Sequence, residues 1–158
     1  MHLTVSLRIL GLLLMLFSSA MVIPLVIALL QDDNTVTGFL SALAITFLSG
    51  LVLWFPVRNV RHELRIRDGF LITSLFWTVL GVFGALPFAL TETLALSPVE
   101  AIFESISGLT TTGATVIVGL DSLPMSILLY RQLLQWLGGI GIIVVAVAVL
   151  PMLGIGGM

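Results

Sequence analysis

Apolar residues run almost without interruption through four stretches of the chain, Ile9 to Leu30, Gly38 to Phe55, Phe70 to Leu90 and Pro124 to Leu150, and the one charge within them is Arg131. No water-facing helix could carry such runs. At a helical rise of 1.5 Å, about 18 to 27 residues span roughly 27 to 40 Å, which matches or exceeds a hydrocarbon core of about 30 Å. The pattern predicts an all-α membrane protein with four transmembrane helices. The first run, preceded by Arg8 and carrying small residues at Ser18 to Ala20, has some features of a signal peptide. It continues through Pro24 to Leu30, longer than an h-region of 7 to 15 residues, which favours a true span kinked at the proline.

The 33 residues from Thr91 to Leu123 break the alternation of span and loop, being too apolar and too punctuated for a solvated linker. Ser97-Pro98-Val99-Glu100 writes a helix start: Ser97 as N-cap, Pro98 at the first helical position and Glu100 closing a capping box. From there a helix over 98–109 would be about 18 Å long, too short to cross a bilayer. It would enter and stop at mid-depth, a re-entrant pore helix with a filter loop over 110–115 behind it. Its C-terminal carbonyls, equivalent to about half a negative charge, would then favour a cation.

Composition agrees with lipid as the solvent: 59% of the residues are hydrophobic, 9% are charged, and the mean hydropathy is +1.24. Six arginines and no lysine give a net charge of -2. That balance excludes nucleic acid as a partner, because phosphate binding needs a clustered basic face. Four of the arginines, Arg58, Arg61, Arg65 and Arg67, fall in the connection between the second and third runs, which the positive-inside rule places in the cytoplasm. Alternation puts both termini in the cytoplasm and Thr91 to Leu123 outside. With no cysteine there is no disulfide or thiolate metal site, and no carboxylate pair or Ser/His constellation falls at membrane depth, so an enzyme is not expected.

The candidate chemistry lies in Thr110-Thr111-Thr112-Gly113-Ala114-Thr115. Irregular chain survives at membrane depth where it lines a water-filled or ion-filled cavity. Dehydrating an ion in a low dielectric costs tens of kcal/mol, so replacement oxygens are needed, and consecutive inward carbonyls supply them. Gly113 reaches the required backbone angles without a Cβ penalty. The competing reading is a Thr/Gly-rich turn between two membrane helices that binds nothing.

Phe103-Glu-Ser-Ile-Ser-Gly-Leu-Thr-Thr-Thr-Gly-Ala-Thr115, followed by Gly119-Leu-Asp-Ser-Leu-Pro124, resembles the first pore loop of the Trk/Ktr/HKT potassium transporter family. Arg67-Asp-Gly-Phe-Leu-Ile72, Phe76-Trp-Thr-Val-Leu-Gly81, Ala85-Leu-Pro87 and Arg131-Gln-Leu-Leu-Gln-Trp136 extend the likeness along the whole chain, toward the N-terminal part of the family's bacterial TrkH-like members. The resemblance implies a pore of four helix, pore loop, helix repeats, each giving one filter strand. Residues 1–57 would form an N-terminal helix pair and 58–158 the first repeat. Thr111, Thr112 and Gly113 would supply potassium-coordinating oxygens, with the ion at Thr111 and Thr112, and Thr110, Ala114 and Thr115 would be secondary filter residues. The implied function is potassium uptake across the bacterial inner membrane, with potassium as substrate and no covalent cofactor. The implied partners are membrane lipid, the remaining pore repeats, a second transporter copy in a dimer and a cytosolic nucleotide-binding regulatory subunit of the TrkA kind. Because family chains continue for three further repeats, this one reads as a fragment of a longer transporter. The alternative is a truncated, non-conducting assembly or regulatory subunit.

Other residues are less decided. Arg131, about 10 Å into the fourth run, either snorkels to the outer interface beside Tyr130 or pairs with Glu104 on the pore helix. Glu104 would then be pore-helix support. Otherwise it belongs with Glu92, Glu100 and Asp121 as outer-mouth charge. The small residues of Trp136-Leu-Gly-Gly-Ile-Gly141 favour close helix packing. His2 and His62 have no ligand spacing and read as solvated.

Overall fold

The computed structural model describes residues 3–59 and 66–149. His2, the segment holding Arg61, His62 and Arg65, and the end of the fourth run from Leu150 lie outside the described residues. The described chain is helical, with no strand among those residues: α1 (Leu3–Ala20), α2 (Val22–Gln31), α3 (Val36–Trp54), α4 (Ile66–Gly84), α5 (Leu86–Leu90), α6 (Pro98–Leu109) and α7 (Met125–Val149). Single-turn 3-10 segments follow α3, α5 and the loop after α6.

Two of the expected single helices are broken, for one reason. Proline removes a backbone donor and its ring collides with the carbonyl four residues earlier. Pro24 bars Ala20 in this way, and the chain steps at Met21, whose N–H bonds back three residues to Ser18 (3.1 Å) before α2 resumes. Pro87 does the same to Phe83, with Ala85 bonding to Val82 at 3.2 Å between α4 and α5. The kink expected at Pro24 therefore lies three residues upstream of it.

Three segments among the described residues are long and apolar enough to cross a membrane, Thr4–Gln31, Val36–Val57 and Thr73–Leu90. At most 33% of the positions in their most apolar windows are buried inside the chain, so most of their apolar surface needs lipid or further protein against it. The fourth expected span is α7, 25 residues long. Arg131, Gln132 and Gln135 dilute its first half, and it differs from the other three in that respect.

α1 crosses α3 where Gly11 and Gly50 face each other, since a Cβ on either would come within 2.7 to 2.8 Å of the other's carbonyl oxygen. α6 packs between α4 and α7, and α2 lies against α7. At the centre Tyr130 is wedged by Phe39 (centroids 5.5 Å, edge-on) and Phe88 (5.2 Å), with its hydroxyl donating to the Gly84 carbonyl at 2.9 Å. That bond anchors α7 to the broken end of α4. It also fixes the wall on which α6 rests.

Candidate ion filter and its buried support

α6 starts and stops where the sequence expects. Ser97 Oγ accepts the Glu100 N–H (3.4 Å) and the Glu100 carboxylate accepts the Ser97 N–H (2.8 Å) and hydroxyl (2.7 Å), a complete capping box. These bonds, first the hydroxyl's and then the backbone's, hold the Glu100 carboxyl below its ordinary value. Glu100 is therefore occupied as a cap, fully exposed at the start of α6.

The other end of α6 is closed by its own chain. Thr111 N–H bonds to the Gly108 carbonyl (2.9 Å) and Thr112 N–H to the Ser107 carbonyl (2.9 Å), the pairing of a Schellman cap, with Gly113 N–H also on Ser107 at 3.3 Å. The left-handed residue that such a cap needs is Thr111 at φ +58°, followed two residues on by Gly113 at φ +74°. Left-handed backbone in a β-branched residue is uncommon and costs roughly 1–2 kcal/mol. The cap thus stores strain at a position assigned to the filter from sequence.

No described peptide bond is cis. In a planar trans peptide the N–H of one residue and the C=O of the residue before it point in opposite directions. Three successive N–H groups, those of Thr111, Thr112 and Gly113, point back at α6, so the carbonyls of Thr110, Thr111 and Thr112 point away from it. The Ala114 carbonyl is the exception. It accepts the buried Ser107 hydroxyl at 2.6 Å and is turned toward the helix. The six residues 110–115 are all exposed, and the Thr110 and Thr112 hydroxyls bond each other at 2.8 Å.

Behind the loop lies a buried charge cluster. Arg131 Nη1 donates to Glu104 Oε2 (2.8 Å) and to the Thr115 hydroxyl oxygen (2.8 Å), and that hydroxyl donates to Glu104 Oε1 (2.5 Å). Glu104 Oε1 also accepts the Val116 N–H at 2.6 Å. With side chains 1% and 10% exposed, the pair is withdrawn from solvent, so removing one partner would strand the other at a cost of about 3–5 kcal/mol. Of the two readings open from sequence, the geometry is that of the pair: Arg131 and Glu104 meet inside the chain.

α7 backs the whole arrangement through one helical face bearing Ile127, Tyr130, Arg131, Leu134 and Gly138, all buried. A Cβ on Gly138 would sit 1.9 Å from the Leu109 carbonyl oxygen, so the last residue of α6 rests directly on α7 backbone. Gly84 plays a similar part on α4, where a Cβ would meet the Ser105 hydroxyl at 2.5 Å. Gly138 lies in the small-residue run expected to pack closely, whereas Ser107 and Gly84 escaped the reading from sequence. Ser107 and Gly108 at three and four residues from Glu104 were the available signal, a small-residue face on a short helix.

The family model described as "TrkH: Cation transport protein" matches residues 36–158, which include α6, the loop after it and α7. The chain belongs to the TrkH family. The Trk system potassium uptake proteins TrkH of Halomonas elongata and of Escherichia coli K12 are 61% and 55% identical to it over all 158 residues. The crystal structure of the potassium transporter TrkH from Vibrio parahaemolyticus superposes with a TM-score of 0.93 at 56% identity, covering 100% of this chain and 34% of that one. The chain therefore spans about a third of the length of these TrkH relatives, 33% of each of the two sequences. Family and fold agree with the resemblance seen in the sequence. It is a membrane protein whose relatives are named for transport.

Proposed function

We propose that this chain supplies the first pore repeat of a bacterial potassium uptake protein, in which residues 110–115 form one strand of the selectivity filter. The carrying observation is the capped, 12-residue α6 ending in a loop whose Thr110, Thr111 and Thr112 carbonyls all point away from it. Oxygens turned one way, on exposed backbone, can replace the hydration shell of a cation. Thr111, Thr112 and Gly113 are the residues assigned to potassium, with the left-handed angles at Thr111 and Gly113 holding the turn. Ala114 contributes less than the sequence implied, since its carbonyl is committed to Ser107.

Residues 1–57 then form the accompanying helix pair and 58–158 the repeat. Both termini face the cytoplasm of the inner membrane, and α7 is the fourth span. Further pore repeats complete the ring, and the assembled transporter works as a dimer beside a TrkA-like nucleotide-binding subunit. The test is flux into liposomes holding the full-length protein that carries this chain. Potassium should pass better than sodium, and Gly113→Asp should abolish the flux. Unchanged conduction by that variant would remove the filter assignment.

A further inference from the structure

Thr115 joins the filter loop to the buried pair, and its two oxygens have different surroundings. Its hydroxyl is fully engaged, donating to Glu104 and accepting from Arg131 Nη1 and from the Ile117 N–H at 3.0 Å. An oxygen so occupied is withdrawn from any ion. Its carbonyl shares a peptide plane with the Val116 N–H, and that N–H points into the cluster at Glu104 Oε1. By the same antiparallel rule the Thr115 carbonyl faces away from Glu104.

We propose that Glu104 and Arg131 are positioning residues for the outer end of the filter strand: together they hold the Thr115 hydroxyl as an anchor and turn its carbonyl outward as an ion-facing oxygen, thereby setting potassium over sodium discrimination. The inference rests on the functional reading above and deepens it. Selectivity depends on keeping carbonyls at a spacing suited to the larger ion. A loop of alternating backbone handedness cannot hold that spacing unaided, because each exposed peptide is free to flip once its N–H partner is lost. At the inner end the helix carbonyls of Ser107 and Gly108 supply those partners. At the outer end the Val116 N–H bonds instead to the Glu104 carboxylate, which takes the role. A carboxylate buried there requires a counter-charge, which explains an arginine in the first half of α7. Arg131 also links the strand to α7, so a tilt of α7 would be felt at Thr115.

The experiment measures the potassium to sodium flux ratio in liposomes containing the full-length protein that carries this chain. The ratio is the readout because misfolding lowers both fluxes alike. Thr115→Val removes the anchor and leaves the Glu104 to Arg131 contact untouched, so it keeps the test sound if Glu104→Gln does not fold. Both variants are expected to lower the ratio on the order of tenfold, the scale of sub-ångström misplacement at a tight site. Glu92→Gln, which changes an exposed charge in the 3-10 turn after α5, should keep the ratio of the parent. A Thr115→Val protein with the parent's ratio overturns the proposal, as does a Glu92→Gln protein that loses selectivity equally, since bulk charge would then be the cause. A parent protein that passes no potassium overturns the functional reading and this inference with it.

Discussion

Ser107 meets the loop after α6 four times: its carbonyl takes the N–H groups of Thr112 and Gly113 and the Thr110 hydroxyl, and its own hydroxyl donates to the Ala114 carbonyl. The contacts to its carbonyl survive any substitution, whereas that of its hydroxyl does not. Ser107→Ala should therefore cost about 1 kcal/mol of stability, the value of one hydrogen bond, read as a lowered melting midpoint in detergent. It should also free the Ala114 carbonyl to turn, and the potassium to sodium flux ratio should change without loss of protein. At this scale the sequence exposed those residues whose chemistry is local. Ser97, Glu100 and Gly113 act on neighbours within a few positions, so their spacing was sufficient evidence. Glu104 and Arg131 are 27 positions apart in sequence order, and only their contact at 2.8 Å chose between pairing and snorkelling. Thr111 could not be foreseen as left-handed, because a β-branched residue enters that region only when the surrounding bonds over-determine it.

Helix boundaries divided along the same line. The bounds of α6 follow from its capping box and from the chain reversal after it, and both are local signals. The breaks at Met21 and Ala85 are also local in cause, yet proline alone leaves open whether a membrane helix bends or steps. How α7 meets α6 is a tertiary matter. Gly138 and Gly139 are adjacent and look equivalent in the sequence, but a Cβ on the first would lie 1.9 Å from the Leu109 carbonyl oxygen and on the second 4.0 Å from the nearest atom, a Thr111 methyl. Gly138→Ala should destabilise the protein by about 1–3 kcal/mol or more, as overpacking does, and should push the end of α6 off its seat. Gly139→Ala should be tolerated. Thermal melts of the two variants side by side test this, and equal midpoints would show that α6 does not rest on α7 in this way.

Across the described residues, α1 to α3 pack against α4, α5 and α7 as one body. Asp33, in the turn between α2 and α3, accepts the Ser126 hydroxyl at 2.7 Å and also the Thr35 hydroxyl, and Thr35 and Ser126 lie 2.8 Å apart, both buried. This ties the turn to the first residues of α7 across 93 positions. Hydrogen bonds to a charged group are worth about 1.5–3 kcal/mol, so Asp33→Ala should lower the melting midpoint by a corresponding amount. The flux ratio should stay near that of the parent, since the hydrogen bonds shown for the Asp33 side chain go to Thr35 and Ser126 and not to the loop proposed as filter. A large loss of selectivity would mean that the N-terminal helices shape the filter as well as brace it.

Hydropathy by itself determined that this chain belongs in lipid, because long apolar runs with 9% charged residues have no stable arrangement in water. The capping box likewise determined where α6 starts, since both of its bonds close within four residues. What lay beyond the sequence was which oxygens of the loop face outward and what holds them there. That depends on N–H groups finding carbonyls of α6 and the carboxylate of Glu104, and on Arg131 arriving from another helix. Contacts between distant segments are decided when the helices pack, by burial and the need to pair every buried charge, and one-dimensional spacing carries no record of them.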